Sequence, residues 1–373
     1  MVSYKQIMKN ALKKRPHRAI KSVFSTIRHG PKASLPFKLK MECSSICNLK
    51  CIMCPLHVGL KRKQGFLTFD NFKNVFDQIK PAYLNLTGIG EPFLNKELFK
   101  IVEYAKKEGT MVKLDTNATL LTQENIEKIL KTGIDYISIS IDGVDKKSYE
   151  KIRIGSNFEL VKDNVKNLTK ERDRLKSKTH VHMFFVLQED NILYLPEFIK
   201  LAEELGVNYV AGSFVVTLGG NNNAKNKISL YREELQKVIE ETKELIKKAK
   251  VEVSVQPLLD FLEEKEEKRE YNKNKPCLMP WYSTFITWDG WVNPCDFSCD
   301  NEEVFGNAFE EPFKNIWNNK KYKDFRLNLL KNRESINLCR GCGVDESYII
   351  QEIKKIPFGK SIGYKIKDEG EKN

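Results

Sequence analysis

The sequence predicts an α/β protein: six strand–helix units in succession, then a small α+β domain. Three observations carry this. Short β-type runs alternate with amphipathic helical runs over residues 37–210. Polar, glycine-bearing segments fall at the carboxyl ends of the predicted strands, where parallel sheets and barrels build their sites. Further cysteines bracket a hairpin signal beyond a charge run at 263–275.

Composition narrows the class. The chain has 373 residues, 41% of them hydrophobic, enough for a barrel-sized core and an appendage. Net charge is +13, and residues 1–40 hold eleven Lys and Arg with no Asp or Glu, so the charge belongs to an arm. Aromatics in that arm lie on apolar stripes rather than between the basic residues, and nucleic acid is not the expected partner. No apolar run approaches the ~20 residues that span a bilayer, and residues 1–40 lack the apolar core of a signal peptide. Nine cysteines, several grouped like metal ligands, suit the reducing cytoplasm better than a disulfide framework.

The arm, residues 1–36, reads as two short helices separated at Pro16. Tyr4, Ile7, Met8 and Leu12 form one stripe, and Ile20, Val23, Phe24 and Ile27 another. Such helices can lie on an anionic membrane surface or an acidic partner. They can equally cover the base of a barrel. A strand at 37–42 then delivers a cysteine loop. Helix 70–79, strand 83–86, helix 96–107 and strand 111–114 follow. Thr122 caps a helix that Gly133 ends. Strand 136–141, helix 158–175, strand 181–187, helix 196–205 and strand 208–210 complete six units, which argues for a parallel sheet with right-handed crossovers. An exposed loop at 219–223, a helix at 231–250 and a strand at 251–255 precede the charge run, the expected domain boundary. Beyond it, strands 283–288 and 291–295 flank the Asp289-Gly290 turn, and two helices carry Phe313, Ile316, Trp317 and Tyr322, Phe325, Arg326.

Chemistry concentrates in four places. Cys47, Cys51 and Cys54 form C-x-x-x-C-x-x-C. Three thiolates can hold three irons of a 4Fe–4S cube and leave the fourth open to a small chelator. A zinc knot with Cys43 or His57 as fourth ligand is the bland alternative, at an unusual spacing. After the second strand, Thr87-Gly88-Ile89-Gly90-Glu91-Pro92 offers glycines that let backbone approach a ligand, and a carboxylate for an ammonium group. The third and fourth strands end in Asp115-Thr116-Asn117-Ala118 and Ser140-Ile141-Asp142-Gly143, with Arg153 following; singly, such residues are more often caps or turns. Cys277, Cys295, Cys339 and Cys342 can converge on one centre, zinc or iron–sulfur.

Together these motifs resemble the radical SAM superfamily over about residues 37–345, and the last four cysteines resemble the twitch form of its SPASM domain. The resemblance implies a partial (β/α)6 TIM-type barrel with a small C-terminal α+β twitch/SPASM-like domain. It implies that Cys47, Cys51 and Cys54 hold the catalytic cube and that S-adenosyl-L-methionine (SAM) chelates its open iron. Electron transfer then yields a 5′-deoxyadenosyl radical that abstracts hydrogen from an unactivated carbon. The implied SAM contacts are Met53, in place of the usual aromatic, Gly88, Gly90 and Glu91, spaced G-x-G-E-P where the family has G-G-E-P, and Asn117, with Ala118 where the family has glycine. Ser140 and Asp142 are implied at the ribose or carboxylate, and Arg153 at the carboxylate. Cys277, Cys295, Cys339 and Cys342 are the implied ligands of an auxiliary 4Fe–4S cluster, with Cys43 and Cys299 unassigned; Cys299 is an alternative ligand or a thiol hydrogen donor. An electron donor such as ferredoxin or flavodoxin is implied as a partner.

The expected organisation is an arm (1–36), a barrel (37–262), a linker with the auxiliary-cluster domain (263–350) and a charged tail (351–373). No module of about eighty residues precedes the barrel to bind a leader peptide, which favours oxidation or another modification of a small-molecule, glycan or lipid-linked substrate. Peptide modification is the alternative. A non-catalytic metal-binding adaptor would explain the cysteines and the arm, but not G-x-G-E-P. The expected location is the cytoplasm, with the arm a candidate contact for the inner membrane surface.

Overall fold

The computed structural model describes residues 4–14, 16–214, 232–255, 277–340 and 342. The expected loop at 219–223, the charge run and the tail lie outside them. Helices α1 (Tyr4–Lys14) and α2 (Pro16–Arg28) lead into β1 (Lys38–Met41). Then come α3 (Pro55–Val58), α4 (Phe69–Ile79), β2 (Tyr83–Leu86), α5 (Leu98–Lys107), β3 (Met111–Thr116), α6 (Gln123–Thr132) and β4 (Tyr136–Ser140). Next are α7 (Lys146–Ile152), α8 (Phe158–Arg174), β5 (His180–Leu187), α9 (Leu195–Glu204), β6 (Tyr209–Phe214), α10 (Arg232–Lys248) and β7 (Glu252–Ser254). The last part holds α11 (Met279–Tyr282), β8 (Ser283–Ile286), β9 (Val292–Asn293), α12 (Phe313–Trp317) and α13 (Lys320–Lys331).

All six expected strand–helix units are present, and the sheet runs on past them at both edges. Its order is β7-β6-β5-β4-β3-β2-β1-β8-β9. β7 adds in parallel to β6, and β8 adds in parallel to β1, while β9 turns back antiparallel on β8. The C-terminal hairpin therefore continues the barrel's own sheet.

Pleating explains the placement of side chains. In β1 to β4, Leu39, Met41, Leu84, Leu86, Val112, Leu114, Ile137 and Ile139 are fully buried beneath the helices. The alternate residues face the lumen, and there Lys40, Asn85, Lys113, Asp115 and Ser138 stand where many barrels pack branched apolar side chains. The helices show why they form. α4 starts at Thr68, whose side chain accepts the Asn71 N–H, and buries Phe72, Val75, Phe76 and Ile79, each worth about 1.5–3 kcal/mol. The seven-residue α7, absent from the sequence reading, is too short to show a period; a capping box between Asp145 and Ser148 starts it.

The basic arm packs under the barrel. Ile7, Ala11, Ala19 and Val23 are buried against Phe37, Ala82, Tyr83, Tyr136, Leu278 and Tyr282. Asn10 Nδ2 donates to the Ala82 carbonyl at 3.1 Å and Arg18 Nη1 to that of Ile79 at 2.9 Å. Lys9, Lys13, Lys14, Lys21 and Arg28 stay exposed. Of the stripe residues, Ile7 and Val23 are buried in the barrel base and Leu12 and Ile27 pack against it, while Phe24 stays 39% exposed. Among the described residues, no helix is long and apolar enough to cross a membrane. Residues 30–34 tie the arm to the C-terminal part through Trp281 Nε1, Trp317 Nε1 and Asn318, and the fully buried Arg326 donates to the carbonyls of Pro31, Pro280 and Trp317.

Candidate active site

At the carboxyl ends of the strands lies a cavity of about 370 Å³. Cys47, Cys51 and Cys54 form part of its wall, with Met53, Gly88, Gly90, Glu91, Asn117, Ser140 and Arg153. These ten sequence-predicted residues are thus brought together. Asp115, Thr116, Val186, Ser213, Asp296, Phe297 and Cys299 also line it.

The cysteine loop is held from several sides. Lys50 N donates to the Ile154 carbonyl at 2.9 Å and Ile52 N to that of Ile152 at 3.0 Å, while Gly90 N and Glu91 N donate to Ser44 and Ile46 carbonyls at 3.1 and 2.9 Å. This changes the expected role of the glycines. A Cβ on Gly90 would stand 2.5 Å from the Ser44 oxygen, and one on Gly88 2.5 Å from Glu42 Cγ. The close approach they permit is to the cysteine loop and Glu42 in the first place, with the ligand cavity on the other side.

Glu91 is 1% exposed. Its Oε1 accepts from Thr116 Oγ1 at 2.7 Å and Phe93 N at 3.2 Å, and its Oε2 from Asn117 N at 2.8 Å. One lone pair of Oε2 is left for a ligand's ammonium. Burial lifts its pKa to about 7 against those hydrogen bonds. Asp142 differs from expectation: it is fully buried and absent from the cavity wall. Its Oδ2 takes both Nε and Nη2 of Arg153 at 2.7 Å, and its Oδ1 the Val186 N–H at 2.7 Å. Asp142 therefore aims the arginine instead of meeting a ligand itself. Asn117 Nδ2 reaches Asn48 Oδ1 at 3.0 Å, linking the third strand end to the cysteine loop.

The site suits a thiolate-held cluster. Among the described residues no three His, Cys, Asp or Glu side chains surround a single metal-ion position, while the three thiols of the loop share one cavity. Burial raises the pKa of all three, Cys51 to about 11, so iron must displace protons on binding. The two residues weighed for a zinc knot are engaged elsewhere. Cys43 is 1% exposed in the core, with Asn95 Nδ2 3.3 Å from its sulfur, and His57 Nε2 lies 2.7 Å from the Leu49 carbonyl.

Electrostatic interactions link the second cysteine set. Cys295 senses Cys339 and Cys342 electrostatically, and the buried Arg333 guanidinium senses Cys342, Cys277 and Cys339. Arg333 Nη2 donates to the Cys342 carbonyl at 2.8 Å. A cation beside Cys277, Cys339 and Cys342 offsets the charge of a cluster held there. Burial raises Cys295, and lifts Cys339 to about 12. Cys299 lines the catalytic cavity and is lifted to about 12, again by burial.

Glu42, Arg62, Asp115 and Asp296 carried no site role in the sequence reading. Arg62 hides in the run Lys61-Arg62-Lys63, which reads as solvated surface; Glu42 was visible only as an acid ending a strand beside the cysteine motif.

A three-cysteine loop at the mouth of a parallel barrel, with a second cysteine set in the part of the chain whose hairpin extends the same sheet, defines a class. Residues 41–202 match the radical SAM superfamily, and residues 277–343 match the iron–sulfur cluster-binding SPASM domain. The chain is a radical SAM enzyme with a SPASM-type C-terminal domain, and its cofactors are 4Fe–4S clusters and SAM. Among curated relatives, the AdoMet-dependent heme synthase of Methanosarcina barkeri is 28% identical over 328 residues, 83% of this chain and 88% of the relative. The PqqA peptide cyclase of Bradyrhizobium diazoefficiens is 25% identical over 338 residues, 87% of this chain and 81% of the relative. SuiB of Streptococcus suis bound to S-adenosylmethionine shares the fold, with a TM-score of 0.62 over 83% of this chain and 72% of that one, at 18% identity.

Proposed function

We propose that this enzyme cleaves SAM at a cluster held by Cys47, Cys51 and Cys54 and oxidises an organic substrate in the same cavity by two electrons. One observation carries this reading. The loop that begins at Cys295 supplies Asp296, Phe297 and Cys299 to the cavity wall that the catalytic cysteines also line. A substrate there lies between the two cluster sites. The catalytic cluster, with SAM bound, supplies the electron that breaks a carbon–sulfur bond and so the radical that removes a hydrogen atom.

The chain's own residues do the rest. Arg153, held by Asp142, meets the SAM carboxylate; the free lone pair of Glu91 Oε2 meets its ammonium; Met53 lies against the adenine. Gly88, Gly90, Asn117 and Ser140 shape the SAM end of the wall. Cys277, Cys295, Cys339 and Cys342 would hold the auxiliary cluster, and a cluster there would supply an acceptor for the second electron, released with a proton from the substrate. The product is two hydrogens lighter, and SAM is consumed. A ferredoxin or flavodoxin supplies the first electron. The exposed cations of α1 and α2 remain a contact for an acidic partner or an anionic surface in the cytoplasm.

A second reading, modification of a peptide, has support from the similarity to PqqA peptide cyclase. The heme synthase relative, by its name, makes a different product, so the relatives' names divide on the substrate. Anaerobic reconstitution tests the primary reading. Wild type should hold about eight irons and release 5′-deoxyadenosine under a strong reductant. Replacing Cys47, Cys51 and Cys54 with Ala should leave about half the iron and no cleavage. Stoichiometric zinc without iron would sink the proposal.

A further inference from the structure

Part of the cavity wall is acidic by construction. Asp115, from the end of β3, and Asp296, from the loop after β9, both line it. A lysine backs each carboxylate. Lys113 Nζ lies 2.6 Å from Asp115 Oδ1, and Lys40 Nζ 2.6 Å from Asp296 Oδ1. The lysine side chains are 18% and 11% exposed, the carboxylates 26% and 36%. Neither lysine lines the cavity, and Lys40 lies within electrostatic reach of both acids. A ligand therefore meets the carboxylate oxygens, while the cations behind them fix their orientation and charge. Arg153 is the one cationic side chain on the described wall, and Asp142 holds it at the cysteine loop.

Asn85 supports Asp115 from behind. Strand register seats it between Lys40 and Lys113 on the lumen face, and it is 7% exposed. Its amide bonds Asp115 and, with Lys113, sets that carboxylate's position.

We propose that Asp115 and Asp296, the first positioned by Asn85, form a substrate subsite for a hydrogen-bond-donating group, an ammonium or a hydroxyl, and that it rejects carboxylate- or phosphate-bearing groups. This deepens the reaction proposed above and rests on it. Such a group can belong to a peptide side chain or to a small amine or polyol, and two probe series separate them. One is acetyl-Gly-X-Gly-amide with Lys, Ser or Glu at X; the other is glucosamine, glucose and glucuronate. Binding is read by saturation-transfer NMR on the reconstituted, SAM-loaded full chain. In the series that fits, the ammonium and hydroxyl probes should bind at least about tenfold tighter than the carboxylate probe, since like charges repel across a desolvated contact. Asp115→Asn and Asp296→Asn should each shrink that ratio at least about threefold.

Equal binding within both series, a preference for the carboxylate, unchanged ratios in the variants, or no binding by either series at concentrations on the order of 10 mM would overturn the subsite. The wild-type ranking needs no variant, so a substitution that prevents folding does not shelter the idea. 5′-Deoxyadenosine formation is measured on the same samples. Protein that cleaves SAM but fails the ranking refutes the subsite alone; protein that cleaves no SAM refutes the reaction itself.

Discussion

Arg62 Nη2 lies 2.7 Å from Glu42 Oε1 in a pair almost closed to water, the side chains being 6% and 0% exposed. The two residues flank the catalytic cysteine loop in the chain. Glu42 also accepts the N–H groups of Ile89 and Trp288, each at 3.3 Å, and Arg62 Nε donates to the Cys299 carbonyl. One buried pair thus joins the cysteine loop, the glycine loop, the C-terminal hairpin and the loop after Cys295.

Breaking that pair should be costly. Arg62→Ala should lower the stability of the cluster-free chain by about 3–5 kcal/mol in urea unfolding, because it strands Glu42 in a dry site. Glu42→Gln combined with Arg62→Met should recover part of the loss. A cost below about 1 kcal/mol would show that the pair is no joint.

Glu91 predicts a pH dependence in the cluster-free chain. Its pKa is about 7 in the fold against an ordinary 4.5. Between these values the folded chain binds this proton more tightly than the unfolded chain. Stability at this site is therefore greatest below pH 4.5, falls as pH rises toward 7, and then levels, with an amplitude on the order of 3 kcal/mol. Unfolding series from pH 4 to 8 should show that slope in wild type and not in Glu91→Gln. Saturating SAM, whose ammonium prefers the ionised carboxylate, should flatten it.

Ala118 sits at φ 62°, in the left-handed region, where the family pattern has glycine. The strain of about 1–2 kcal/mol is offset by a fully buried methyl group and by the lower backbone freedom of Ala in the unfolded chain. Ala118→Gly should accordingly change stability by less than about 1 kcal/mol. Ala118→Val, β-branched in the same conformation, should cost at least about 2 kcal/mol. Thermal unfolding of the two variants decides it, and equal effects would refute the account.

Removing residues 1–30 uncovers the apolar base formed by Phe37, Ala82, Tyr83 and Tyr282. The truncated chain should melt lower or aggregate, whereas anionic vesicles should bind the full chain weakly and lose it as salt rises. An unchanged melting temperature together with lost vesicle binding would instead make the arm a membrane contact.

Much of this protein is legible locally. The cysteine spacing marks the cluster loop, and the 2.0 and 3.6 periods mark strands and helices to within a few residues. Thr122 caps α6 as its residue type suggests, accepting the Asn125 N–H, and Gly133 ends it at φ 69°. Met53, Asn117, Ser140 and Arg153 reach one cavity because all follow strand ends on the same side of the sheet. Residues without a local signature were missed. Arg62 looks like surface and Asp296 like an ordinary loop acid until Glu42 and Lys40 stand beside them, and Asp115, paired with Lys113 two residues back on β3, gains its role only from the cavity it lines.

The sequence by itself determined the chemistry: three thiols at one spacing, four more around a hairpin, and the alternation that places polar residues at strand ends. Tertiary structure alone decided what those residues meet. Pairing of β8 with β1 brings Asp296 onto Lys40 across 256 residues of chain. Packing of the arm on Tyr83 and Tyr282 turns a membrane-like stripe into core, and Asp142 withdraws behind Arg153 to hold it. The physical reason is common to all three. Periodicity and capping are local energies that a short window of sequence contains. A buried charge or an apolar stripe takes its partner from whichever distant element closes over it, because only there are the costs of desolvation and exposure offset.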